Sequence, residues 1–208
     1  MMRARQIVAM SGLAAIVVWA GAAVGARGQS AAPAKPAAAK PAAKPAASAA
    51  AAEIARGKHL VETSVCNDCH TPFKMGDNGP EPDMSRMLSG HPADLVMPAP
   101  PQVSAPWAAV GSGTFTAWAG PWGVSYTANL TPDKETGLGT WTAQQFIDTI
   151  RNGRVQGHGR QLLPPMPWPW FKNFTDAELK AIFAYLQSIP AVKNKVPDPV
   201  IAPPPPAK

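Results

Sequence analysis

The sequence predicts a helical domain framed by three helices, and three observations carry that expectation. Apolar residues recur at helical spacing shortly after residue 53, and two capping boxes further along each open a periodic apolar segment. The first helix is expected from about Glu53 into Cys66, with Ile54, Gly57, Val61 and Val65 on one stripe. Gly57 is the odd member: glycine costs about 1 kcal/mol against alanine inside a helix, so its presence points to close passage of another element. The second helix is expected over about 142–152, where Thr142 and Gln145 form a capping box, Phe146, Ile147 and Ile150 form the apolar face, and Gly153 ends it. The third opens on the Thr175/Glu178 box, carries Leu179, Ile182, Phe183 and Leu186, and stops before Pro190. It is expected to cross the first helix near Gly57, with Tyr185 or Phe183 at the contact.

The remaining segments lack such periodicity. Residues 73–128 form a long insert rich in Pro, Gly and Trp, expected to pack over the functional centre or to present a docking surface. Trp107, Trp118 and Trp122 lie in it, either exposed to a partner or packed inside. Residues 29–52 are almost wholly alanine, proline and lysine, a composition that cannot bury a core, and read as a semi-extended linker. Residues 197–208, ending IAPPPPAK, read as an extended, exposed tail. The start, MMRAR, is basic and is followed by an uncharged apolar stretch over 6–26 that ends in small residues, so residues 1–28 read as an export signal. Cleavage after Ala26 or Gly28 fits. The same stretch is long enough to remain as a membrane anchor.

The net charge of +6 does not describe the folded part. Six of the 19 Lys and Arg fall in residues 1–52, which hold no acid, leaving 13 bases against 13 acids in residues 53–208. That balance argues against a nucleic-acid partner, which needs its positive charge on the folded surface.

The chemistry centres on VCNDCH, residues 65–70. Two cysteines three apart followed at once by histidine is the pattern for covalent haem attachment. Cys66 and Cys69, one helical turn apart, can add to the two vinyl groups on one porphyrin edge. His70 then falls beneath the ring as proximal iron ligand. Three other readings of the pair compete. A thioredoxin-like dithiol expects a βαβ setting, and no strand-like run precedes Cys66. A zinc site would need His59, His91 or His158 to complete it, because the chain has 2 cysteines in all. A disulfide between them would close a short strained loop.

For the second iron ligand the expectation is Met166, held in LLPPMPWPW (162–170), where prolines leave the backbone few conformations. Met75, Met84, Met87 and Met97 are its rivals, and His158 would give bis-histidine ligation. Arg151, Arg154, Arg160, Trp168 and Trp170 are candidates to bond haem propionates, with one or two expected to do so.

Taken in order, RGKHLVETSVCNDCHTP (56–72), GTWTAQQFIDTIRNG (139–153), PPMPW (164–168) and TDAELKAIFAYLQSIP (175–190) resemble the class I c-type cytochromes, in particular exported single-haem cytochromes of bacteria. The resemblance covers about residues 53–196, taken as the cytochrome c domain. It implies an all-α fold around one covalent haem c, His70 and Met166 as axial ligands, and electron transfer as the function. The implied setting is the periplasm, with or without an anchor through residues 6–26. Redox proteins such as a periplasmic dehydrogenase or a terminal oxidase would then be partners, and the chain a carrier or a non-catalytic electron-transfer subunit. The alternatives are a haem peroxidase or gas sensor with an open distal site, and a thiol-disulfide oxidoreductase.

Overall fold

The first helix, α1, runs Pro45–Thr63 in the computed structural model, which describes residues 45–203. The expected export segment, most of the linker and the end of the tail lie outside the described residues. The helix begins well before Glu53, taking in the end of the Ala/Pro/Lys linker. Proline is tolerated in a first turn, where its missing N–H has no partner to lose, and the alanines that follow are the strongest helix formers. The helix also stops short of Cys66. Val65 lies in the left-handed region (φ 53°), a costly conformation for a β-branched residue, and is exposed rather than on the buried stripe. A short helix, α2, then spans Cys66–His70.

The other two framing helices form where expected. The Thr142/Gln145 box caps α3 (Ala143–Asn152), with both reciprocal bonds made, and Gly153 closes it at φ 64°. A single turn, α4 (Trp168–Phe171), precedes α5 (Asp176–Ser188), which the Thr175/Glu178 box caps. Val61 of α1, Phe146, Ile147 and Ile150 of α3, and Leu179, Ile182 and Leu186 of α5 are buried in one cluster. Each contributes roughly 1.5–3 kcal/mol by leaving water. The predicted crossing is at Gly57: a Cβ there would sit 1.8 Å from the Ala181 carbonyl oxygen and 2.9 Å from Tyr185 Cβ. Tyr185 is therefore at the contact, whereas Phe183 stacks against Phe146, ring centroids 5.6 Å apart. Arg56 and Glu178 bridge the same two helices at 2.9 Å.

The expected all-α class does not hold. The insert contains five strands: β1 (Phe73–Gly76), β2 (Gly79–Pro82), β3 (Val110–Gly111), β4 (Ala117–Gly120) and β5 (Gly123–Tyr126). A sixth, β6 (Val200–Ile201), comes from the tail. The first two make an antiparallel hairpin, and the others a second antiparallel sheet in the order β3-β4-β5-β6. Strands of two to four residues are too short to display the alternation that marks a strand in sequence. Their signals were turns: Asn78-Gly79 and Gly120-Pro121-Trp122-Gly123, each closed by a glycine at positive φ (114° and 103°). In the described part of the tail Val200 and Ile201 are extended and exposed, but their backbone pairs with β5.

Candidate haem site

A cavity of about 600 Å³ opens between the helical frame and the end of the insert. That lies within the range of pockets that hold cofactors and drug-sized ligands. The α2 helix brings Cys66, Cys69 and His70 to its wall, and the PPMPW loop brings Met166. Val61, Phe146, Ile150, Leu179, Ile182 and Leu186 line it as well, so the helical core is also the wall of the pocket.

His70 is buried, and its Nδ1 lies 2.8 Å from the Ala128 carbonyl oxygen. A carbonyl only accepts, so Nδ1 carries the proton and Nε2 keeps its lone pair, the tautomer that metal ligation needs. Burial pulls the imidazole below its usual value, an effect that the bond to Ala128 partly opposes. The insert wraps this residue from both ends. Gly90 N–H donates to the His70 carbonyl at 2.8 Å, and His91 N–H to the Thr127 carbonyl at 3.0 Å. Gly90 has φ 77°, and a Cβ on it would lie 2.4 Å from Thr127 O, so only glycine passes there.

The thiols lack the lowered values that a reactive dithiol needs. Burial pushes Cys66 up to about 11 and raises Cys69 as well, with Asp68 adding to both. A reactive dithiol has a depressed thiol value set by positive neighbours, whereas no positive group lowers either thiol here. Among the described residues no three of His, Cys, Asp and Glu gather as a metal cluster, so the zinc reading gains no third ligand.

Of the methionines considered, Met166 alone lines the cavity. Met75 and Met84 are exposed, Met87 packs on the helical core, and Met97 borders a separate small hollow against the second sheet. His59 and His158 are exposed and off the cavity. His91 is fully buried with both nitrogens engaged, Nδ1 with Thr116 Oγ1 at 3.0 Å and Nε2 with the Leu95 carbonyl at 3.0 Å.

Among the five propionate candidates, Arg160 lines the cavity. Arg151 instead donates to the Lys172 carbonyl and pairs with Asp176, and Arg154 donates to the Gly159 carbonyl. Trp168 packs over Gly153, and Trp170 is exposed. In the insert, Trp107 is exposed, while Trp118 and Trp122 are half-buried, and none of the three reaches the cavity.

Several lining residues were not singled out in the sequence: Ser125 and Thr127 from the insert, and Lys195 to Pro199 where the domain runs into the tail. Their roles depend on strands too short to read and on a tail that returns to the fold. Thr127 Oγ1 is buried and has no hydrogen-bond partner. An orphaned hydroxyl beside an apolar cavity, two thiols, a metal-ready imidazole and a thioether form a donor set that fits haem c.

Comparison with known proteins points the same way. The chain is 28% identical over 152 residues to the fructose dehydrogenase cytochrome subunit of Gluconobacter japonicus, covering 70% of this chain and 24% of that protein. It is 35% identical over 81 residues to the cytochrome c subunit of the quinone alcohol dehydrogenase of Gluconobacter oxydans, covering 38% of this chain and 17% of that protein. A nicotinate dehydrogenase subunit of Pseudomonas putida is 40% identical over 77 residues, or 37% of this chain and 6% of that one. The chain thus spans at most about a quarter of the length of these three relatives. The family model described as cytochrome c matches residues 54–190, from α1 through α5 and the cavity between them, so the chain belongs to the cytochrome c family and carries a covalently bound haem c.

Proposed function

We propose that this protein is an exported one-electron carrier or electron-transfer subunit, in which Cys66 and Cys69 hold haem c by thioether bonds and His70 and Met166 ligate its iron. The observation that supports this most is the convergence on one cavity of the CxxCH motif and the single methionine of a proline-rich loop. When bound, the haem supplies a centre that gains or loses one electron. The chain's own residues do the rest. Ala128 keeps the His70 proton on Nδ1 and so orients Nε2. Pro164, Pro165 and Pro167 restrict the loop that carries Met166, so little entropy is lost in holding its thioether. The apolar residues of α1, α3 and α5 exclude water, which lowers the reorganisation that electron transfer requires. Arg160 and Thr127 line the cavity and would bond the propionates.

A dehydrogenase is the partner this reading favours, since the relatives are named as subunits of dehydrogenases, and the role here is non-catalytic. Residues 1–28 would direct export to the periplasm, or residues 6–26 would stay as an anchor. Among the described residues, no helix is long and apolar enough to cross a membrane.

The test is the oxidised and reduced absorption spectrum of the protein matured in a host that attaches c-type haem. One low-spin haem with the weak red band of methionine on ferric iron is the expected result. A high-spin spectrum without that band would remove Met166 from the iron and turn the reading toward a peroxidase or gas sensor with an open distal site.

A further inference from the structure

We infer that Ser125, a residue of the insert, is the latch of the methionine loop: a positioning residue that keeps Met166 on the iron through its bond to Pro164. This rests on the reading of Met166 as axial ligand. The loop has little backbone means of holding itself. Pro164, Pro165 and Pro167 have no N–H, and the Met166 N–H makes only a long 3.3 Å bond to the Leu163 carbonyl. Ser125 is buried in the middle of β5, and its hydroxyl lies 2.6 Å from the Pro164 carbonyl oxygen and 3.3 Å from that of Trp118. Both acceptors are carbonyls, so the hydroxyl donates, and the shorter geometry assigns its proton to Pro164. The strand beneath is fixed by its pairing with β4, where Ser125 lies opposite Trp118 and Thr127 N–H reaches the Thr116 carbonyl at 2.9 Å.

The placement gives the insert a task. Three residues beyond Ser125, the Ala128 carbonyl accepts the hydrogen bond from His70 Nδ1–H. One segment, 125–128, therefore ties both the histidine and the methionine loop, and it aligns the two ligands through a single element rather than separately through the helix and the loop that bear them. Loss of the Ser125 bond frees the loop, and the state in which Met166 has left the iron gains population.

Imidazole reports that state, because it binds ferric iron only after the thioether leaves. The experiment titrates imidazole into the oxidised, haem-loaded full chain and follows the red methionine band. Ser125→Ala is expected to bind imidazole about fivefold more tightly than wild type, the effect of losing one buried hydrogen bond on a two-state equilibrium. Ser125→Cys, with similar volume and a weak donor, should do the same if the alanine variant folds poorly, and Ser125→Thr should restore the wild-type affinity. Ser112→Ala, which removes a hydroxyl just beyond β3 that bonds Thr114 and Ala117 and not the loop, separates general loosening from latching; it should leave the affinity unchanged. If Ser125→Ala and Ser125→Cys both stay within about twofold of wild type, the latch is wrong while Met166 ligation stands. A wild-type protein without the red band overturns Met166 ligation itself, and the latch with it.

Discussion

Where α1 meets α5, the contact is apolar and as close as two backbones allow; where β5 meets the PPMPW loop, it is polar, single and directional. At the first, Gly57 lies against the Ala181 carbonyl, and Val61, Leu179 and Leu186 bury their side chains around it. At the second, a serine hydroxyl reaches a proline carbonyl at 2.6 Å. The crossing supplies stability, which grows with buried area and tolerates no added volume. The strand-to-loop contact supplies orientation, which a hydrogen bond gives at little net stability. Damage to the two regions should therefore separate in experiment: one set of variants lowers the melting temperature, the other alters ligand exchange at the iron.

The haem attachment stands above both regions, because the helices pack around the cavity as well as on each other. Replacing Cys66 and Cys69 together with serine should abolish covalent haem, visible as loss of the haem mass in the intact protein. It should also leave the frame without the surface it packs against, so that the far-ultraviolet circular dichroism drops and no cooperative transition remains. Retention of a covalent haem in that variant would contradict the attachment.

Gly57→Leu should break the crossing alone. Overpacking against a backbone carbonyl costs about 3 kcal/mol or more, a fall in melting temperature on the order of 10 °C, with the red band unchanged in the folded fraction. An unaltered melting temperature would mean that the helices do not cross there. Thr175→Ala tests the frame more gently. It removes the cap that bonds Glu178 N–H at 3.2 Å and should cost about 1 kcal/mol in thermal or denaturant unfolding, again with no change at the iron.

The smallest expected effect lies in the insert and depends on pH. Burial of His91 pulls its pKa below the usual value, with the Leu95 carbonyl and Asp94 acting against that shift and Arg86 reinforcing it. The folded state thus binds fewer protons at this residue than the unfolded chain. Its contribution is complete above about pH 6.5 and is lost as the pH falls from there toward the depressed folded value. His91→Asn should flatten that part of the stability-versus-pH curve. A slope identical to wild type would place the proton uptake elsewhere.

The frame was legible because its signals are local and redundant. Each capping box joins two residues three apart, and each apolar face repeats over several turns, so α3 and α5 fall where their residues dictate. Gly57 was legible for a related reason: glycine inside a helix is a cost that a close crossing offsets. The start of α1 lies earlier than Glu53 because the last alanines of the linker join it, and Pro45 is tolerated in a first turn. The all-α expectation failed in the insert, where no strand exceeds four residues and the turn glycines were the only trace.

By itself, then, the sequence determined what is chemically local: the CxxCH spacing, the methionine among prolines, the caps and faces of two helices, and the neutral balance of residues 53–208. Tertiary structure alone decided which methionine reaches the cavity, that Arg160 rather than Arg151 or Arg154 lines it, and that Ser125 and Ala128 tie the two candidate ligands to one segment. Those contacts join residues 39 and 58 positions apart. No window of sequence spans such separations, and a single hydroxyl or carbonyl has no pattern by which to announce its partner.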